Sequence, residues 1–365
     1  MLHVLFVVGA RPNFMKVAPM LRCLDGRGGW TSVLVHTGQH YDANMSGDLF
    51  RDLGIREPDV NLGVGSGSHA SQTAAVLVGI EGVLRDSEPD LVVVVGDVNS
   101  TLAAALAAVK LHIPVAHVEA GLRSGDRRMP EEINRVLTDR LAALCLTPSR
   151  DAGGNLVGEG IDPDRIHFVG NIMIDTLRHS LNRADAEAVL AKYEVAPSEF
   201  GLVTLHRPSN VDDAETLRGI LEALDEISRD RPLLFPAHPR TKQRLDGLGW
   251  SPEGVHVTPP LSYLEMIALL DNAAVLLTDS GGLQEESTAL GVPCFTLRST
   301  TERPVTITEG TNVLVRDRST ASILEAYRTR PPETGRRPPP EGWDGRTAER
   351  IVDVLEVWAR SDRDI

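Results

Sequence analysis

Leu91-Val92-Val93-Val94-Val95-Gly96-Asp97-Val98-Asn99-Ser100-Thr101 is the stretch that decides the fold. An unbroken apolar run rich in β-branched residues makes a strand buried on both faces, Gly96 and Asp97 close it, and the helix-period segment Thr101–Leu111 follows at once. Outward from it the same cycle repeats. Val4–Val8, Ser32–His36 and Pro114–Val118 read as strands, with helical patterns at Phe14–Leu24 and Ala70–Leu84. Such alternation predicts parallel strands joined by right-handed crossovers. After a helix-like Asp175–Leu190 and the turn-rich Val195-Ala196-Pro197-Ser198 the rhythm restarts. Its strands are Leu202–Leu205, Leu233–Phe235, Val255–Val257, Val275–Leu277 and Pro293–Phe295, with helices at Ala214–Ile227, Tyr263–Leu270 and Leu283–Leu290. The expected fold class is α/β: two Rossmann-like doubly wound domains, residues 1–174 and 175–345. A terminal helix at 346–365, reached through a Pro-rich stretch, is expected to pack back toward the first domain.

Length and composition agree with two domains. The 365 residues exceed what one core normally serves. Apolar residues at 42% and charged residues at 24% are the balance of a globular protein. A net charge of −14 with only 4% aromatics disfavours nucleic acid, which needs cations for phosphate and rings for stacked bases. No apolar run reaches the ~18 residues that span a bilayer, and Met1–Phe6 runs straight into a strand without a leader-like charged segment. Cys23, Cys145 and Cys294 are isolated among apolar neighbours, as buried thiols of a reducing compartment are. The expectation is a cytoplasmic protein with no nucleic-acid or membrane partner.

Open α/β sheets bind ligands at the carboxyl ends of their strands, so the residues just after each strand carry the chemistry. Asp279-Ser280-Gly281-Gly282-Leu283-Gln284-Glu285-Glu286 follows a strand and opens a helix. Its glycines let backbone N–H groups approach a phosphate, Ser280 adds a hydrogen bond, and Glu286 is placed to accept from ribose hydroxyls. Gly9-Ala10-Arg11-Pro12 with Lys16 puts two cations at a helix start, which calls for an anion. Asp97, Glu119 and Glu131 are the acid–base candidates. Asp97 and Glu119 both end apolar strands, where burial and mutual repulsion raise a carboxyl pKa. His206 is a phosphate ligand or proton carrier. Gly65-Ser66-Gly67-Ser68-His69-Ala70 matches a dinucleotide fingerprint in letters but lacks the strong preceding strand and the acid about 20 residues on. His36 and His40 lack a third ligand, so neither metal nor cofactor is expected.

These blocks resemble the non-hydrolysing UDP-N-acetylglucosamine 2-epimerases. The likeness runs from Val4 to about Leu314. It is carried by Gly9-Ala10-Arg11-Pro12, His36-Thr37-Gly38-Gln39-His40-Tyr41-Asp42, Gly96–Thr101, His117-Val118-Glu119-Ala120-Gly121-Leu122-Arg123-Ser124, Met129-Pro130-Glu131-Glu132-Ile133-Asn134-Arg135, Gly170-Asn171, Thr278–Glu286 and Thr301-Glu302-Arg303-Pro304. The resemblance implies a glycosyltransferase-B-like fold, its two domains facing a cleft, and a homodimer. It implies catalytic roles for Asp97, Glu119, Glu131 and His206, and binding of a UDP-sugar by Arg11, Lys16, Ser280, Gly281, Gly282, Glu286 and Arg303. Many bacterial members carry His-Arg-Arg-Glu-Asn and an activating second UDP-N-acetylglucosamine; this chain has His206-Arg207-Pro208-Ser209-Asn210 instead.

Inverting carbon 2 of such a sugar removes a proton that no carbonyl acidifies. Transient oxidation needs a nicotinamide, for which the fingerprint is lacking. Elimination of UDP to a glycal, then re-addition after protonation on the other face, needs only carboxylates near carbon 2 and cations on the diphosphate. Alternatives are a UDP-diacetamido uronic acid as substrate, a hydrolysing 2-epimerase, and a glycosyltransferase of the same architecture.

Overall fold

A computed structural model of the chain describes residues 2–38, 53–329 and 337–361, with all their side chains except those of residues 11 and 361. Two compact units form: Met1–Thr176 with Glu341–Ile365, and Leu177–Pro340.

The first unit runs β1 (Leu2–Val8), α1 (Arg11–Asp25), β2 (Trp30–His36), β3 (Val60–Asn61), α2 (His69–Ser87), β4 (Leu91–Val95), α3 (Asn99–Lys110), β5 (Val115–Val118), α4 (Pro130–Leu141), β6 (Leu144–Thr147), α5 (Arg150–Gly158) and β7 (Ile166–Phe168). Among the described residues its seven strands lie in the order β3-β2-β1-β4-β5-β6-β7, and the pairings are parallel. Leu5, Val7, Val92 and Val94 face Ile80, Leu84, Ala104 and Ala108 in the core. Strand order reverses between β1 and β4, and Asn13 staples the crevice that opens there. Its Oδ1 accepts from the N–H of Gly9 (3.1 Å) and Ala10 (3.0 Å), while its Nδ2 donates to the Val95 carbonyl (3.2 Å).

The helix Thr347–Ser361 belongs to this unit. Its first N–H groups, at Thr347 and Ala348, donate to the Asp175 carboxylate (3.1 and 2.8 Å), a cap supplied from 172 and 173 residues away. Buried Trp343 donates from Nε1 to the Pro148 carbonyl (3.0 Å), and Arg350 from Nε to that of Val169 (2.6 Å).

After α6 (Ile172–Leu181) the second unit comprises α7 (Ala186–Lys192), β8 (Gly201–Thr204), α8 (Pro208–Val211), α9 (Ala214–Asp230), β9 (Leu233–Pro236), α10 (Pro239–Gly247), β10 (Val255–Thr258), α11 (Tyr263–Asn272), β11 (Val275–Thr278), α12 (Gly281–Leu290), β12 (Cys294–Thr296), α13 (Val305–Thr308), β13 (Asn312–Leu314) and α14 (Thr320–Thr329). Among the described residues its six parallel strands take the order β10-β9-β8-β11-β12-β13, so this crevice opens between β8 and β11. Helix α9 buries Leu217, Ile220, Leu221, Leu224 and Ile227 along one stripe, against Val203, Phe235 and Leu277. The single helix expected over Asp175–Leu190 is two, because Asp185 starts a new one by accepting from the Ala188 N–H (3.0 Å). Among the described residues no helix is long and apolar enough to cross a membrane.

Candidate active site

In the first unit the candidates sit at the carboxyl ends of β4 and β5 and at the start of α1 and α4. Glu119 leaves β5 with φ 73°, a left-handed conformation that costs a side-chain-bearing residue roughly 1–2 kcal/mol. Its N–H and that of Ala120 converge on the Leu146 carbonyl (3.0 and 3.1 Å), which fixes this turn. The Glu119 carboxylate forms a buried ion pair with Lys16. Gly96, at φ 67°, makes room for that pair. A Cβ there would lie 2.9 Å from Lys16 Nζ and 3.4 Å from Glu119 Oε2.

Asp97, partly exposed, pairs with Arg135 of α4 (2.7 Å), and its carbonyl accepts from Asn134 Nδ2 (2.9 Å). Arg135 also holds Glu132 (2.8 Å), which in turn accepts from the N–H groups of Ser124 (3.0 Å) and Gly125 (2.9 Å). Glu132 is thus buried and engaged, while Glu131 beside it is half-buried at the helix start. The expected repulsion between Asp97 and Glu119 is not what the chain builds: each carboxylate carries its own cation. Next to Asp97 lies an uncharged set that the sequence reading passed over. Asn99 bonds Gln72 (3.0 Å) and Asn134 (3.3 Å), and Thr37 bonds Ser100 (2.8 Å). Amides and hydroxyls suit sugar hydroxyl groups.

In the second unit Ser280 caps α12, its Oγ accepting from the Leu283 N–H (3.4 Å). A Cβ on Gly281 would lie 3.1 Å from an Arg303 nitrogen; one on Gly282 would meet nothing within 4 Å. Arg303 lies between Glu285 (2.9 Å) and Glu302 (2.6 Å). Burial alone would raise the Glu302 carboxyl, yet Arg303 and Arg298 hold it well below the usual range. Burial first, and Arg298 next, depress the half-buried Arg207 guanidinium, against the opposing pull of Glu302 and Asp279. Glu286, expected to reach ribose hydroxyls, is 3% exposed and accepts from the Tyr263 hydroxyl (2.8 Å). Burial pushes its carboxyl up to about 7.

The organising acid of this unit is Asp279, to which the sequence pattern alone assigns no role. Wholly buried after β11, it accepts from the backbone N–H of His206 (3.1 Å) and Arg207 (2.9 Å) and from Asn210 Nδ2 (3.0 Å). It also holds His206 Nδ1 at 2.8 Å, leaving the ring 55% exposed. Burial would raise this carboxyl, but the His206 bond and the backbone donors outweigh it and keep it lowered. The signal was available: Asp279 follows an apolar strand as Asp97 does.

Lys16, Asp97 and Glu119 are therefore gathered at one strand-end crevice, with Glu131 at the adjoining helix start. His206, Ser280, Gly281, Gly282 and Arg303 are gathered at another, while Glu286 lies one turn into α12. The Arg11 side chain and the segment Gln39–Asp42 lie outside the described residues. Among the described residues no cluster of three or more His, Cys, Asp or Glu is placed to hold a metal ion.

The UDP-N-acetylglucosamine 2-epimerase family model matches residues 22–356. The chain belongs to that family. It is 43% identical over 360 residues to the UDP-N-acetylglucosamine 2-epimerase of Methanocaldococcus jannaschii, covering 96% of this chain and 97% of the relative. It is 44% identical over 331 residues to the UDP-2,3-diacetamido-2,3-dideoxy-D-glucuronate 2-epimerase of Pseudomonas aeruginosa, covering 90% and 92%. A crystal structure of the M. jannaschii enzyme in complex with UDP-GlcNAc and UDP superposes with a TM-score of 0.87 at 41% identity, covering 98% of this chain and all of that one. The family carries two Rossmann-like domains of the glycosyltransferase-B type, as the two parallel sheets here require.

Proposed function

We propose that this 2-epimerase interconverts UDP-N-acetylglucosamine and UDP-N-acetylmannosamine without hydrolysis, by elimination of UDP to a glycal and re-addition. The observation that supports it best is the pair of strand-end carboxylates, Glu119 and Asp97, each backed by a cation. One carboxylate takes the carbon-2 proton as the C1–O bond breaks; another returns a proton to the opposite face, so the base and acid duties fall to Asp97, Glu119 and Glu131. His206, Arg11 and Arg303 restrain the departing diphosphate, with Ser280, Gly281 and Gly282 at the helix end. With Nδ1 committed to Asp279, Nε2 is the His206 nitrogen that serves the phosphate. Lys16 neutralises Glu119, and Glu286 serves the ribose.

The test is incubation with UDP-N-acetylglucosamine in deuterated water. Deuterium at carbon 2 with UDP still attached is expected, and its loss in Asp97→Asn and Glu119→Gln. Free N-acetylmannosamine as the main product would make the enzyme hydrolytic instead. The Pseudomonas relative supports a second reading, a diacetamido uronic acid as the sugar; turnover of that substrate alone would favour it.

We further propose a homodimer in the cytoplasm. The groove on α4 lined by Ile133, Val136, Leu137 and Ile161 is rimmed by Arg127, Arg140 and Glu159, so it offers apolar area with both charges, as a self-complementary surface does. All three cysteines are free thiols, which fits a reducing compartment. Sedimentation of Leu137→Lys as a monomer, against a dimeric parent, is the expected result.

A further inference from the structure

His117 and Asp139 lie under the first crevice and touch neither its surface nor solvent, both being wholly buried. His117 Nδ1 stands 2.6 Å from Asp139 Oδ1, and its Nε2 stands 2.8 Å from the Gly96 carbonyl. A carbonyl only accepts, so Nε2 carries hydrogen and clamps the 96–97 peptide. That peptide leads into Asp97 from a glycine at φ 67°. The other Asp139 oxygen accepts from the Gly121 N–H (3.1 Å) and pairs with Arg123 (2.8 Å). Gly121, at φ 83°, belongs to the turn that carries Glu119.

One rigid bridge therefore ties the two turns that present the acids. Burial would raise the Asp139 carboxyl, but His117 and Arg123 outweigh it and keep it lowered. A buried ionic group is a poor source of stability compared with apolar packing, so its presence in this core calls for a reason of geometry.

We propose that the His117–Asp139 pair is the positioning element that sets Asp97 and Glu119 relative to each other, so that the glycal is reprotonated before it escapes. This rests on the roles proposed above for those two acids. Neither His117 nor Asp139 contacts the substrate; both act through the backbone.

The experiment uses the full chain with Asp139→Asn and His117→Gln, fed UDP-N-acetylglucosamine. The readout is the ratio of released UDP plus 2-acetamidoglucal to epimer formed. Misfolded molecules add nothing to either side of that ratio, so a purely structural role leaves it at the parent value. A rise of tenfold or more is expected in Asp139→Asn. His117→Gln, which keeps one N–H for the Gly96 carbonyl, is expected to show a smaller rise and decides the matter should Asp139→Asn fail to fold. An unchanged ratio in the soluble variants overturns the positioning role, whatever happens to total activity. Asp97→Asn and Glu119→Gln run alongside. Their retaining parental turnover overturns the assignment of the acids and this inference together; their losing it while the bridge variants keep the parental ratio overturns the inference alone.

Discussion

Gly96→Ala separates stability from chemistry in the first unit. Two effects follow from the geometry. At φ 67° an alanine is strained by roughly 1–2 kcal/mol, and that cost falls on the fold. At about 2–4 °C of melting temperature per kcal/mol for a domain of this size, the shift is about 2–8 °C. The new methyl also lands 2.9 Å from Lys16 Nζ, closer than van der Waals contact allows. Because that atom ends a flexible side chain, it moves aside at little further cost to stability. Moving it, however, shifts the positive charge that sits against the Glu119 carboxylate. The expected outcome is a protein that melts only slightly early, binds UDP with parental affinity by calorimetry, and turns over more than tenfold more slowly. Parental kcat in a folded Gly96→Ala protein would refute the reasoning, since the Lys16–Glu119 arrangement would then be dispensable. Gly121→Ala is the contrasting control. Its Cβ would fall 2.3 Å from the Ala152 carbonyl oxygen, a backbone atom that cannot swing away, so here the fold itself should fail.

Gly282→Ala should leave the melting temperature unchanged, because the added methyl meets no protein atom within 4 Å; weaker UDP binding in calorimetry would then report the ligand directly. Asp279→Asn replaces a carboxylate that accepts from several N–H groups by an amide with one oxygen; a loss of about 1–3 kcal/mol in denaturant unfolding is expected, with slower turnover as the His206 ring loses its partner. Glu286 has a folded-state carboxyl raised to about 7 from an ordinary value of 4.5, so the folded state binds the proton more tightly and this group's contribution to stability falls as pH rises from about 4.5 to 7. Glu286→Gln should therefore melt progressively later relative to the parent between pH 5 and pH 8; a constant offset across that window would show that Glu286 does not titrate there.

The long apolar runs were legible because a strand buried on both faces needs no partner to be recognised. Leu91–Val95 is reproduced residue for residue. Leu144–Thr147, Ile166–Phe168 and Asn312–Leu314 escaped notice because so few residues leave no periodicity to read. The same asymmetry holds at the site. Asp97 and Glu119 could be singled out by the rule that ligands meet strand ends. Their cations could not be matched to them, since Arg135 reaches Asp97 across 38 residues and Lys16 reaches Glu119 across 103. Nor does one-dimensional reading tell Glu131 from Glu132. Only the face of α4 that meets Arg135 and the Ser124–Gly125 turn decides that the second is committed to the fold.

The Asp175 cap has a consequence for how the molecule is made. The first unit is discontinuous: Trp343, Arg350 and the helix beginning at Thr347 must return to Pro148, Val169 and Asp175 after the whole of the second unit has been synthesised. A fragment ending at Thr176 lacks the tryptophan that fills its own core and leaves the Asp175 carboxylate buried in prospect but unanswered. During translation the second sheet is complete while the first still waits for its closing piece, so a nascent chain stalled before Trp343 should be cut by protease in the first unit and spared in the second.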